Sequence, residues 1–154
     1  MSLHRGQFRD LVGRVLLEWD LHSLEAVELL LGTAAQESDL GRYLRQVGGG
    51  PALGAFQVEP ATHRLIWKWV RRNRPDLEER LRGARYSEGS AAALEWDLRY
   101  SILMARILYL SIPSPLPAVD DVAAQARYWK VHYNTIHGRG TVAEFIRAHA
   151  AHLE

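Results

Sequence analysis

Between residues 91 and 110 apolar side chains recur almost all the way round a helical wheel: Leu94, Trp96, Leu98, Tyr100, Ile102, Leu103, Ile107, Leu108 and Leu110. A helix that is apolar on every side needs neighbours on every side, so this segment predicts a central buried helix. With 154 residues, 47% of them hydrophobic, the chain is long enough for one ordinary core and short for two. The expectation is a single domain over residues 1–154, mainly α, with about six to eight helices around the central one.

Glycine and proline divide the rest into further helices, and strand signals are few. Residues 8–19 read as a first amphipathic helix, and Ser23 caps a second over residues 24–38. Gly48, Gly49, Gly50, Pro51 and Gly54 then deny helix formation, which leaves residues 53–58 as a short extended piece or hairpin arm at the rim of a groove. Pro60 suits the first turn of a third helix over residues 61–72, with Leu65, Ile66, Trp69 and Val70 on its buried face. Pro75 stops it, and residues 76–82 form a short helix ended by Gly83. Pro113, Pro115 and Pro117 force an extended link, after which Asp120 and Asp121 bring negative charge to the first turn of another helix. Val122, Ala126, Trp129 and Tyr133 lie on one stripe of that helix. Thr141 and Glu144 have capping-box spacing and open the last helix.

Charge and cysteine content exclude several classes of function. Nineteen Lys and Arg against 18 Asp and Glu leave a formal charge of +1, too little for a global field that would hold nucleic acid or an anionic membrane. The run Arg71-Arg72-Asn73-Arg74 fits a helix C-terminus. No nucleic-acid partner is expected, and no membrane insertion, because the longest apolar stretch is broken by Arg106. Zero cysteines rule out disulfides, a thiol nucleophile and thiolate metal sites. His149 and His152 share a helix face near the C-terminus, where imidazoles are usually solvated, so no metal and no cofactor is expected. Arg5, Arg9 and Arg14 interrupt any leader-like apolar run, and the expectation is no signal peptide.

Glu37 carries the chemical interest. Val27, Leu30, Ala34 and Glu37 follow one another at steps of three and four, so the second helix puts this acid on the stripe its apolar residues bury. Desolvation favours the neutral form, and a neutral carboxyl near physiological pH is what donates a proton to a leaving sugar oxygen.

Three segments, taken in order, resemble the signatures of the lytic transglycosylase and goose-type lysozyme superfamily, most nearly its phage-encoded, lysozyme-like branch. They are Gln36-Glu37-Ser38 at a helix end, Leu53-Gly54-Ala55-Phe56-Gln57-Val58-Glu59-Pro60-Ala61-Thr62, and Tyr133-Asn134 at a later helix end. The resemblance spans roughly residues 24–140. It implies a lysozyme-like fold and cleavage of the peptidoglycan glycan strand between N-acetylmuramic acid and N-acetylglucosamine. It implies too that Glu37 is catalytic acid and base, that Gln57 lines the sugar cleft, that Tyr133 sits near the acid and that Asn134 shapes the same wall. The chain departs from the pattern at Glu59, where relatives are apolar, and at Thr135, where they carry glycine.

Two outcomes follow from protonation of the glycosidic oxygen. Attack by the muramic 6-hydroxyl, with Glu37 recovering the proton, gives an anhydro sugar, as in a lytic transglycosylase. Attack by water held by a second carboxylate gives hydrolysis with inversion. Glu59 is the candidate for that carboxylate if residues 57–59 are extended, since alternation then puts Gln57 and Glu59 on one face. Asp39 is the weaker candidate, two helical steps from Glu37. His132 and His137 flank the Tyr-Asn pair within reach of substrate. The resemblance places such a protein in a host cytoplasm before release or in a phage particle, alongside lysis partners. The rival expectation is a non-catalytic structural or carbohydrate-binding phage component that keeps the fold without turnover.

Overall fold

A computed structural model describes every residue except Ile136, and the described residues are mainly helical, with eight α-helices and no β-strand. The helices are α1 Arg5–Glu18, α2 Leu24–Ser38, α3 Pro60–Asn73, α4 Pro75–Gly83, α5 Ala93–Trp96, α6 Leu98–Leu110, α7 Val122–Trp129 and α8 Val142–Leu153. A 3₁₀ turn covers Glu88–Ser90, and a π-helical turn, Lys130–Asn134, runs on directly from α7. None of these helices is long and apolar enough to cross a membrane.

Local chemistry sets several boundaries where the sequence puts them. Ser23 Oγ accepts the Ala26 N–H at 3.0 Å and starts α2. At α8 the Thr141 hydroxyl accepts the Glu144 N–H while the Glu144 carboxylate accepts the Thr141 N–H, a reciprocal capping box. Asp121 precedes the first turn of α7 and caps it, accepting the Ala124 N–H at 2.9 Å.

The central helix is shorter than the sequence predicts. Residues 91–110 break at Asp97, which is extended (φ −98°, ψ 99°) and caps α6 by accepting the Tyr100 N–H at 3.0 Å. Its other oxygen accepts the Tyr86 hydroxyl at 2.6 Å, so a tertiary bond holds the break open. Trp96, ahead of the break, is 70% exposed instead of buried. From Tyr100 to Ile107 every residue of α6 is buried, which gives the all-round core element in a more compact form. Even Arg106 is buried there, with Nε donating to the Leu21 carbonyl at 2.9 Å.

Helix α3 is rotated from its expected orientation. His63, Ile66, Trp67 and Val70 are buried, Trp69 is half-buried and Leu65 is exposed. Trp67 Nε1 and His63 Nε2 both meet the Tyr100 hydroxyl of α6, at 2.9 and 2.5 Å. These polar bonds satisfy groups that would be costly to bury unpaired, so they select which apolar residues face inward. Pro75 opens α4 at its first turn, where a missing N–H costs nothing.

Helix α8 crosses α2 at Gly32. A Cβ at that position would lie 2.5 Å from Phe145 Cζ, so the aromatic ring rests directly on the α2 backbone. Phe145 in turn meets Trp129, with ring centroids 5.4 Å apart, in a small buried cluster with Ala126. This cluster lies beside the C-terminal turns of α2, which carry Glu37.

Candidate functional site

The end of α2 with the loop after it, the 52–62 segment, residues from Trp129 to Thr135 and from His137 to Gly140, and Leu108 of α6 line a cleft of about 790 Å³. Glu37, Gln57, Glu59, Tyr133 and Asn134 all line it. The residues that the sequence singled out are therefore brought together from three separate segments.

Glu37 sits in the last turn of α2, with Oε1 accepting the Trp129 indole N–H at 2.9 Å. Burial pushes its carboxyl from 4.5 up to about 7, while the indole bond, which favours the charged form, pulls the other way. Oε2 makes no hydrogen bond to the described residues, and the side chain borders the cleft. Near neutral pH such a carboxyl retains a protonated fraction that an ordinary glutamate lacks.

The indole depends on a glycine. A Cβ at Gly140 would stand 2.6 Å from Trp129 Cη2, so the ring reaches Glu37 through room that only glycine leaves. Trp129 appears in the sequence as one member of an apolar stripe, and its bond to an acid 92 residues away has no local signature.

Tyrosines complete the surroundings of the acid. Tyr109 is buried on α6, with its hydroxyl 2.8 Å from Thr33 Oγ1, and its ring lies 5.2 Å from that of Tyr133. Burial, and then the Glu37 carboxylate, hold the Tyr133 phenol well above its ordinary range; burial does the same at Tyr109. Both remain neutral dipoles. The Tyr133 hydroxyl donates to the Phe56 carbonyl at 2.6 Å, so its proton is committed to holding the 54–57 loop. Ser38 grips the same loop from α2, donating to the Ala55 carbonyl at 2.5 Å.

Of the two forms expected of residues 53–58, a short extended piece or a hairpin arm, the segment takes the hairpin form, closed by a tight turn. Antiparallel bridges join Leu53 to Arg45 and to Val58, and Gln57 adopts φ +50°. The expected alternation through residues 57–59 therefore does not hold, although Gln57 and Glu59 border the same cleft. Gly54, at φ +81°, admits no side chain, since a Cβ would run into the Leu94 carbonyl oxygen. Gln57 Nε2 donates to the Gly54 carbonyl at 3.0 Å, and its amide oxygen is left without a protein partner among the described residues. Such an oxygen suits a ligand N–H, for example an acetamido group.

Glu59 is exposed and precedes α3 as its N-cap residue, without a side-chain capping bond. Asp39 is not among the residues that line the cleft. It ends α2 in the left-handed conformation (φ 55°), bonds His152 and pairs with Arg42. His137 lines the cleft, whereas His132 packs on the Tyr128 ring at 4.5 Å.

The π-helical turn aims the last wall. Lys130 Nζ donates to Asn134 Oδ1 at 2.7 Å and to the Gly138 carbonyl at 2.9 Å, which fixes the Asn134 amide against the turn. Thr135 follows at φ +67°, a conformation unfavourable for a β-branched residue. The family resembled by the three motifs carries glycine at this position, and the backbone here has the shape glycine permits. No known family profile, curated protein sequence or solved structure matches this chain.

Proposed function

We propose that this protein cleaves the peptidoglycan glycan strand at the bond between N-acetylmuramic acid and N-acetylglucosamine, with Glu37 as general acid and then general base. One observation carries the reading: a half-buried carboxyl that desolvation raises to about 7, bonded through one oxygen to Trp129, in the wall of a cleft large enough for saccharide units. The ordered resemblance of residues 36–38, 53–62 and 133–134 to the lytic transglycosylase and goose-type lysozyme superfamily supports it, because those segments meet at that cleft.

In the proposed reaction protonated Glu37 gives its proton to the glycosidic oxygen as the C1–O bond breaks, and positive charge develops on the muramic ring. The carboxylate left behind is stabilised by the Trp129 N–H. The 6-hydroxyl of the same sugar then attacks C1 and its proton returns to Glu37, so the acid is regenerated and an anhydro end forms. If Glu59 instead orients water, the product carries a reducing end. Delivery to the wall, by a phage particle or with a lysis partner, belongs to the same reading.

The test is fragment release from purified sacculi, read by mass spectrometry, for wild type and Glu37→Gln. Release by wild type and a loss of at least a hundredfold in the variant is the expected result. Anhydro ends identify transglycosylation and reducing ends hydrolysis. Binding of sacculi without any release by wild type refutes the catalytic reading and leaves the carbohydrate-binding alternative.

A further inference from the structure

Helix α3 begins at the cleft, where Glu59 and Thr62 form part of the wall, and then leads away from it along the surface. Arg64, Lys68 and Arg72 follow one another at i,i+4 spacing on its outer side, all exposed. Next to that row run Leu65, Trp69 and Asn73, also at i,i+4 spacing; Leu65 is 65% exposed and Trp69 half-buried. Leu65, Lys68, Trp69, Arg72 and Asn73 border a shallow, open depression on this helix face.

The charge on this face is unpaired. Arg71 is matched by Glu88 and Arg74 by Asp76, but Arg64, Lys68 and Arg72 have no carboxylate partner among the described residues. The helix itself contains no acid. Three cations beside an aromatic ring and a side-chain amide call for a ligand with anionic groups, a flat apolar face and hydrogen-bonding substituents. A glycan strand bearing carboxylates has all three, because the C–H face of a sugar ring covers an indole while its hydroxyls and acids meet the polar rim. A bilayer would use the cations and Leu65, but Trp69 is half-buried and stands beside the Asn73 amide, which suits a ring with hydrogen-bonding substituents better than acyl chains.

We infer that the outer face of α3 is a second saccharide-binding site, in which Trp69 stacks on a sugar and Lys68 and Arg72 hold carboxylates of the same strand that enters the cleft. The inference rests on the proposed substrate, and it adds a site that Glu37 chemistry does not require. Continuity supports it, since Thr62, Leu65 and Trp69 follow one another at steps of three and four along a helix that starts in the cleft wall. Such a site would hold the polymer close to the cleft after each cut, by raising its effective concentration.

The experiment measures binding of full-length Glu37→Gln protein, which does not degrade its ligand, to purified sacculi by co-sedimentation. Trp69→Ala and the double change Lys68→Gln with Arg72→Gln are added separately in that background; the charged pair is exposed, so it tests the site without disturbing the core. Each is expected to weaken binding about tenfold. Carbodiimide amidation of the sacculus carboxyls should weaken the parent similarly and leave the Lys68/Arg72 variant where it already was. Unchanged binding in the double variant, or equal binding of amidated sacculi, overturns the inference. So does tighter binding to vesicles of phosphatidylglycerol and phosphatidylcholine that the same changes abolish, which would make the face a membrane contact. Fragment release by otherwise wild-type protein separates this site from the first. If nothing is released yet the variants still weaken binding, the second site stands and the catalytic reading falls; release with unaffected binding gives the reverse.

Discussion

Replacing Glu37 by Gln should make the folded protein more stable, by an amount that grows as pH rises above 4.5 and is complete above about 7. The carboxyl titrates at 4.5 when solvated and at about 7 in its buried position. Below pH 4.5 it is protonated in folded and unfolded chains alike, and it imposes no penalty. Between pH 4.5 and 7 the unfolded chain ionises while the folded one resists, so stability is lost as pH rises through this window and stays lost above it. Each pH unit is worth about 1.4 kcal/mol, which makes the full effect about 3 kcal/mol. Glutamine has the size of the neutral acid, and its oxygen can accept the same Trp129 N–H, so the variant lacks the charge while keeping the bond. The assay is urea denaturation of both proteins from pH 4 to pH 9. Buried His63, whose imidazole is pushed down to about 4 chiefly by burial, weakens both proteins as pH falls below 6.5, and it cancels when the two curves are subtracted. The expected difference is flat below pH 4.5, then grows to about 3 kcal/mol in favour of Glu37→Gln above pH 7, equivalent to about 6–12 °C in melting temperature. A difference that does not change with pH would mean that the acid is solvated, and the argument for a proton donor at this position would fail with it.

Other perturbations probe the walls around that acid. Trp129→Phe removes the one bond that favours the ionised form, so the alkaline limb of kcat/KM for fragment release should move to higher pH; the vacated space should also cost about 2 kcal/mol in urea unfolding. An unmoved limb would show that the indole does not touch the titration. Thr135→Gly relieves a β-branched residue at φ +67° and should raise the urea midpoint by the equivalent of about 1 kcal/mol, whereas a drop would mean that the threonine side chain contributes more than the strain removes. Gly54→Ala forces a Cβ against the Leu94 carbonyl oxygen and to 2.7 Å from Ser101 Oγ, at φ +81°; it should destabilise by about 3 kcal/mol or more and lower fragment release, and a variant of wild-type stability would refute the geometry given for the loop.

What the sequence reveals of this molecule is what neighbours in sequence decide. Ser23 can cap α2 and Thr141 can pair with Glu144 without reference to the rest of the fold, and both do so. The placement of Glu37 on a buried stripe follows from helical spacing alone. Bonds between separate elements decide the features in which the structure departs from the local pattern. Asp97 breaks a segment of strong helical pattern because its two oxygens serve both the first turn of α6 and the hydroxyl of Tyr86. The choice of Trp67 over Leu65 as the inward residue of α3 goes with the Tyr100 hydroxyl, which offers a partner to an indole N–H and none to a leucine. The sequence leaves residues 53–58 open between an extended piece and a hairpin, and the bridges of Leu53 to Arg45 and Val58 select the hairpin, with Gln57 in its turn. Among the candidate site residues, the convergence of residues 37, 57, 59, 133 and 134 on one cleft was anticipated from the three motifs, whereas the Trp129 contact depends on Gly140 making room and is invisible to any window of sequence.

The two influences on Glu37 act on different halves of the proposed cycle. Burial is the larger, and it favours the protonated acid that the first step consumes. The Trp129 N–H favours the carboxylate which that step leaves behind and which the second step needs as a base. A site with burial alone would donate its proton readily only at the cost of an unstable product, and one with the hydrogen bond alone would already be ionised at neutral pH. Glycine makes the combination possible: Gly32 lets Phe145 close over α2, and Gly140 lets the indole of Trp129 reach the acid from the other side. Opening that wall removes both influences at once. Because desolvation is the stronger of the two, hydration around Glu37 should return it towards an ordinary carboxylate, so in the proposed cycle exclusion of water from this corner of the cleft is what keeps a proton available at neutral pH.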